Sequence, residues 1–177
     1  MVSNHFSALD CGIIAMAYNK DIKFLAKKEL FKNKLVAKIV KSYGAIPIDR
    51  DNPDMKSLLS AIRVLKDGHK LAIFPEGTRN KTKTKQLQPI KGGTMIFAVK
   101  AKCPIVPMMI YRKARAFTRN YLIIGKPFYL EEFYNCKNTD EDIEKMGKIV
   151  TDKMQEQQKI LFDIIDKKKR KNGKWKF

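Results

Sequence analysis

Short apolar runs alternate along this chain with stretches whose apolar residues recur at helical spacing. The runs 23–26, 45–48, 71–74, 104–111 and 121–124 are each only four to eight residues long. That length suits a buried strand and is too short for a packed helix. Between them, residues 9–18 and 31–43 carry apolar side chains at steps of three and four, and Gly44 stands where the second of these stretches should stop. Asn52-Pro53-Asp54 reads as the start of a further helix, with Asn52 as N-cap, running to about Lys66 before Asp67-Gly68 breaks it. Gly92-Gly93 precedes another over 94–101. This alternation predicts an α/β domain with a central mixed sheet flanked by helices.

The C-terminal third departs from the alternation. Ile143, Met146, Val150, Met154, Leu161, Ile164 and Ile165 form one apolar stripe. They predict a long amphipathic helix from Thr139 to about Lys167, packed on the sheet. Residues 1–166 are then a single folding unit, since 177 residues suffice for one core. Residues 167–177 are a tail with seven basic residues and the aromatics Trp175 and Phe177.

Charge narrows the partners. Lys and Arg number 37 against 18 Asp and Glu, a net charge of +19. Such an excess favours polyanions: nucleic acid, an anionic membrane or a phosphorylated substrate. No nucleic-acid module is recognisable, so nucleic acid is not expected as a partner. The longest uncharged runs, such as 11–19 and 103–111, have nine residues, well short of a membrane span. No signal peptide is visible. Cys11, Cys103 and Cys136 are widely spaced and form no CxxC pair, which speaks against a zinc site and for a reduced cytosolic setting. The sequence runs from Met1 almost directly into a candidate catalytic histidine, so a strand and an anchoring segment are expected upstream.

Three segments carry chemistry. In Asn4-His5-Phe6-Ser7-Ala8-Leu9-Asp10, the histidine and aspartate are five apart. Five helical steps turn about 140°, so the two would not share a face of one helix. A turn feeding a helix brings them together, and Asp10 would then orient His5 as a general base. The plain alternative is a loop histidine beside a helix N-terminus, with Asp10 complementing the dipole. Phe74-Pro75-Glu76-Gly77-Thr78-Arg79 follows an apolar run, at a strand's C-terminal end, where α/β sheets bind ligands. Gly77 permits a tight turn, Arg79 suits a phosphate, and Glu76 either meets a substrate hydroxyl or fixes the loop. Gly44-Ala45-Ile46-Pro47-Ile48-Asp49-Arg50 ends a strand on a second arginine. Ile105-Val106-Pro107-Met108 reads as the wall of an apolar groove, with Pro107 at a bulge or edge, or as plain core.

In this order the segments resemble the glycerolipid acyltransferases, specifically the bacterial 1-acyl-sn-glycerol-3-phosphate acyltransferases. Phe24-Leu25-Ala26-Lys27-Lys28-Glu29-Leu30 and Lys91-Gly92-Gly93 also look like family sequence, and the resemblance covers about residues 2–127. It implies transfer of a fatty acyl group from acyl-CoA or acyl-carrier protein to the sn-2 hydroxyl of lysophosphatidic acid. His5 would be the base and Asp10 its holder. Arg50, Glu76, Gly77 and Arg79, with Lys27, would shape the glycerophosphate site, and Pro107 would border the acyl chain. No metal or organic cofactor is implied. The enzyme would act peripherally at the cytoplasmic face of the membrane, where anionic lipids meet its basic surface. Glycerol-3-phosphate or another lysophospholipid as acceptor, and an inactive shortened chain, are the alternatives.

Overall fold

A computed structural model of the chain describes residues 1–18, 22–42, 44–48, 55–82, 85–115 and 117–173. Arg50, the Asn52-Pro53-Asp54 cap, Trp175 and Phe177 lie outside the described residues. The elements in order are β1 (Val2–Ser3), α1 (Asp10–Tyr18), β2 (Ile22–Lys27), α2 (Lys34–Ser42), β3 (Ala45–Ile48), α3 (Met55–Lys66), β4 (Lys70–Ala72), α4 (Ile96–Ala101), β5 (Pro107–Ile110), β6 (Leu122–Ile124) and α5 (Asp140–Gly173).

The strands form two parallel-paired halves. β2 lies between β3 and β4 and is parallel to both, with Phe24 opposite Ala45 and Ala72. β5 pairs in parallel with β1 and antiparallel with β6. A parallel bridge between Val2 and Ile73 joins the halves. There the Ser3 N–H donates to the Ile73 carbonyl (3.1 Å) and the Ile73 N–H to the Met1 carbonyl (2.9 Å). The mixed sheet therefore reads β3-β2-β4-β1-β5-β6.

Side-chain alternation assigns the two faces, because successive strand residues point to opposite sides. Phe24, Ala72, Phe74, Met108 and Ile110 pack with Phe6 and Ile14 under α1. Leu25, Leu71 and Ile73 point the other way, onto Ala61 of α3 and Phe97 of α4. Met109 and Tyr111 meet Met146, Val150, Met154, Leu161 and Ile165 of α5. Most of the expected stripe is thus the buried face of α5, with Gln157 filling the gap in its spacing, but Ile164 turns to solvent beside the buried Ile165.

Several boundaries differ from the sequence expectation, each for a local reason. α2 starts at Lys34 rather than at residue 31, because the Asn33 side chain accepts from the N–H groups of Leu35 (3.0 Å) and Val36 (3.2 Å). That is an N-cap, and Lys28–Phe31 before it form a separate 3-10 turn. Residues 92–95 are likewise a 3-10 turn, so α4 begins at Ile96. α5 starts where expected, with the Thr139 N–H and hydroxyl both donating to Asp142. It continues to Gly173, beyond the expected end near Lys167. Lysine and arginine are good helix formers, so the basic run there extends the helix.

The 3-10 turn at Gly92 touches α5 backbone to backbone. A Cβ on Gly92 would sit 1.9 Å from the Ile143 carbonyl oxygen, whereas one on Gly93 would meet nothing within 4 Å. Overpacking of this kind costs about 1–3 kcal/mol. We expect Gly92→Ala to destabilise the chain by about that amount in urea unfolding, and Gly93→Ala to stay within about 0.5 kcal/mol of wild type. Equal behaviour of the two variants would refute the close approach.

Candidate active site

The site lies where the chain's connections diverge. From β1 the chain passes through α1 to β2, skipping β4's place; from β4 it passes through α4 to β5, on β1's far side. The neighbouring ends of β1 and β4 therefore open a crevice, as at the switch point of other open α/β sheets. His5 follows β1, and Phe74 to Arg79 follow β4.

The His5 backbone is held from both sides. Its N–H donates to Glu76 Oε1 (2.8 Å) and its carbonyl accepts from the Asn80 N–H (2.6 Å). One residue earlier, the Asn4 side chain donates to the Ile110 carbonyl (2.9 Å) and accepts from the Ile110 N–H (2.8 Å), continuing the β1–β5 ladder past the strand's end. The imidazole stacks on Phe74, with centroids 3.9 Å apart and planes 16° from parallel.

The side chain is oriented by Asp10, the first residue of α1 and fully buried. His5 Nδ1 lies 2.9 Å from Asp10 Oδ2. The same oxygen accepts from the N–H groups of Phe6 (2.6 Å) and Ser7 (2.7 Å), and Oδ1 accepts from the Ser7 hydroxyl (3.2 Å). A carboxylate surrounded by donors is an acceptor, so Nδ1 carries the proton and Nε2 keeps its lone pair. The turn that brings the pair together is residues 6–9, in which the Phe6 and Ser7 amides donate to Asp10. This excludes the reading of Asp10 as only a dipole complement.

His5 opens on a cleft of about 490 Å³. Lys27, Arg79, Lys81 and Lys91 line it, together with Gly77 and Thr78, and among the described residues no carboxylate does. Among the described residues no acid lies within ion-pair distance of Arg79, Lys81 or Lys91. Lys27 is 3.9 Å from Glu29 at a half-exposed site, a contact of little strength. Four cations around a concave floor suit a phosphate.

A second cavity of about 340 Å³ adjoins the first and is almost wholly apolar. Ile48, Leu58, Ile73, Ile96 and Phe97 form its wall, from the α3 and α4 side of the sheet. Leu25, Phe74, Gly77 and Lys91 line both cavities. Among the described residues, Lys91 is the single charged one that lines both cavities. Its backbone N–H donates to the Pro75 carbonyl (2.9 Å), and its side chain lies against Gly77. Gly77 has φ +71°, so the turn needs its glycine.

Of the residues singled out in the sequence, His5, Lys27, Gly77 and Arg79 meet in the cleft and Asp10 stands behind them. Two take other places. Glu76 does not line the cleft: its Oε1 is engaged by His5 and its Oε2 by the Gln88 N–H (3.4 Å), so it is the loop's brace. Pro107 lines neither cavity; it is buried in β5, where its carbonyl accepts from the Gly125 N–H (2.8 Å). Nor does Pro107 stand at a sheet edge, since β5 lies between β1 and β6. Lys81 and Lys91 were not expected in the site. The glycine pair after Lys91 was the available signal, since it marks a turn rather than a helix face.

Burial pushes the Glu76 carboxyl from its ordinary 4.5 up to about 7, helped by the nearby Asp10 charge and opposed by the His5 and Gln88 N–H groups. The folded chain therefore binds this proton more tightly than the unfolded chain does. Its contribution to stability is full below about pH 4.5 and is lost as pH rises towards 7. Across that window the melting temperature of wild type should fall relative to that of Glu76→Gln. A difference that stays flat with pH would contradict the assignment.

The comparisons with known proteins agree with this geometry. Residues 1–111 match the family model described as Acyltransferase. The 1-acyl-sn-glycerol-3-phosphate acyltransferase of Bacillus subtilis is 33% identical over 140 residues, covering 74% of this chain and 65% of that protein. The enzyme of the same name from Cocos nucifera is 33% identical over 153 residues, 84% of this chain and 49% of that one. This chain thus spans half to two thirds of the length of these relatives. The crystal structure of the 1-acyl-sn-glycerophosphate (LPA) acyltransferase, PlsC, from Thermotoga maritima shares the fold, with a TM-score of 0.59 at 24% identity over 88% of this chain and 64% of that one. With residues 1–111, more than half its length, matched by the family model, the chain belongs to the acyltransferase family.

Proposed function

We propose that this chain transfers a fatty acyl group from an acyl thioester to the free sn-2 hydroxyl of lysophosphatidic acid, making phosphatidic acid. The observation that carries the reading is the His5–Asp10 pair, 2.9 Å apart, opening on a four-cation cleft that adjoins an apolar cavity. The printed names of the relatives from Bacillus subtilis and Cocos nucifera support this acceptor.

The chemistry follows from the placement. The acceptor's phosphate sits among Lys27, Arg79 and Lys81, and the sequence motif makes Arg50 a further candidate for that site. Nε2 of His5 takes the hydroxyl proton, and the oxygen attacks the thioester carbonyl carbon. The tetrahedral intermediate collapses, the C–S bond breaks, and the imidazolium returns its proton to the departing thiolate. No covalent acyl-enzyme forms. The donor, acyl-CoA or acyl-carrier protein, places its chain in the apolar cavity. Its carbonyl then falls at the junction, where the Lys91 ammonium faces the developing negative charge.

Assays with lysophosphatidic acid, glycerol-3-phosphate and other lysophospholipids side by side identify the acceptor; a preference for lysophosphatidic acid is the expected result. His5→Ala should lower kcat by about 10²–10⁴ while the melting temperature changes little. An unchanged rate would sink the mechanism. Lys91→Met should lower kcat by about 10² or more with a smaller change in the acceptor KM. A change in acceptor KM alone would place Lys91 in the phosphate site instead.

A further inference from the structure

Helix α2 turns two large apolar side chains to solvent: Leu35 is 77% exposed and Ile39 59%. They stand one turn apart and share a face. Ala37, about 200° round the helix from Leu35, is buried and marks the side that rests on the protein. Lys34, Lys38 and Lys41 are exposed on the same helix. Residues 30–48 contain no acid at all. Ile39 and Val40 also line the cleft, so α2 is one wall of its mouth.

An exposed apolar ridge bordered by lysines, without counter-charges, matches one kind of partner. We propose that the outward face of α2 docks this chain on an anionic lipid bilayer, with Leu35 and Ile39 among the headgroups and the lysines against lipid phosphates. A nine-residue helix is too short to cross a bilayer, but lying flat it buries an apolar face in the interface. Each lysine near an anionic surface adds to the attraction. α1 and the turn before it also expose apolar side chains, Met16 and Leu9, but α1 has no Lys or Arg, so charge does not direct that face to lipid. The functional sense of the docking rests on the proposed acceptor: its acyl chain stays in the bilayer while its phosphate enters the cleft beside α2.

Vesicle sedimentation tests the surface without needing turnover. The full chain should bind mixed phosphatidylglycerol–phosphatidylcholine vesicles and bind pure phosphatidylcholine vesicles far more weakly. Leu35→Glu and Lys38→Glu should each weaken the anionic binding about tenfold. Leu35→Phe should preserve it, and Lys148→Glu, the same charge reversal on exposed α5 surface, should leave it near wild type. Leu35→Glu should keep its melting temperature and its rate on a short-chain, water-soluble acceptor. Equal losses from Lys38→Glu and Lys148→Glu would show diffuse attraction by net charge and overturn the proposal. So would undiminished binding by Leu35→Glu, or a change in its self-association with no change on vesicles. A chain that docks through α2 yet transfers no acyl group would refute the proposed reaction and leave the docking surface standing.

Discussion

The buried Asp10 carboxylate is the contact on which the rest of the site depends. One oxygen accepts from the His5 ring and from two backbone N–H groups, those of Phe6 and Ser7. Those amides belong to the turn that ends β1 and begins α1, so one carboxylate shapes the loop, caps the helix and sets the imidazole. Burying such a charge is costly unless it is fully hydrogen-bonded, and here each oxygen has a donor. These hydrogen bonds hold Asp10 against Nδ1 of His5 and so leave Nε2 as the group facing the cleft.

Around that contact the sheet supplies rigidity and the loops supply chemistry. Asn4 ties the histidine's strand to β5, and Glu76 with Asn80 ties its backbone to the turn after β4. The base and the cationic turn are therefore one braced unit rather than two loops that meet by chance. The division into a cationic cleft and an apolar cavity follows from strand alternation. Leu25 and Ile73 face the α3 side, and Phe74 faces the α1 side beneath His5. A lipid phosphate and a fatty chain differ in solvation preference in the same way. Gly77 and Lys91 sit where the two environments meet.

Much of this was legible in the sequence because it is local. A short apolar run followed by a glycine turn and an arginine reads as a strand end with a phosphate site wherever it occurs. Helix α5 was legible because its stripe is long. What was not legible depended on three dimensions. Pro107 follows a pattern common in strands, and nothing in one dimension separates a groove wall from sheet interior. Glu76 sits between residues of the cleft in sequence, yet its side chain turns back to His5. Lys81 and Lys91 are two lysines in a chain of net charge +19, where most lysines are solvated. Residues 31–33 read as helix from apolar spacing, and only the Asn33 cap shows where α2 begins.

The tautomer of His5 is the most direct test of the central claim, that Asp10 holds the imidazole with Nε2 free to accept a proton. The chain has two histidines, His5 and His69, so ¹⁵N-histidine NMR of wild type and His69→Gln assigns the His5 signals without ambiguity. In the neutral ring the account expects a protonated Nδ1 and an unprotonated Nε2. A His5 ring protonated at Nε2, with Nδ1 bare against Asp10, would contradict it.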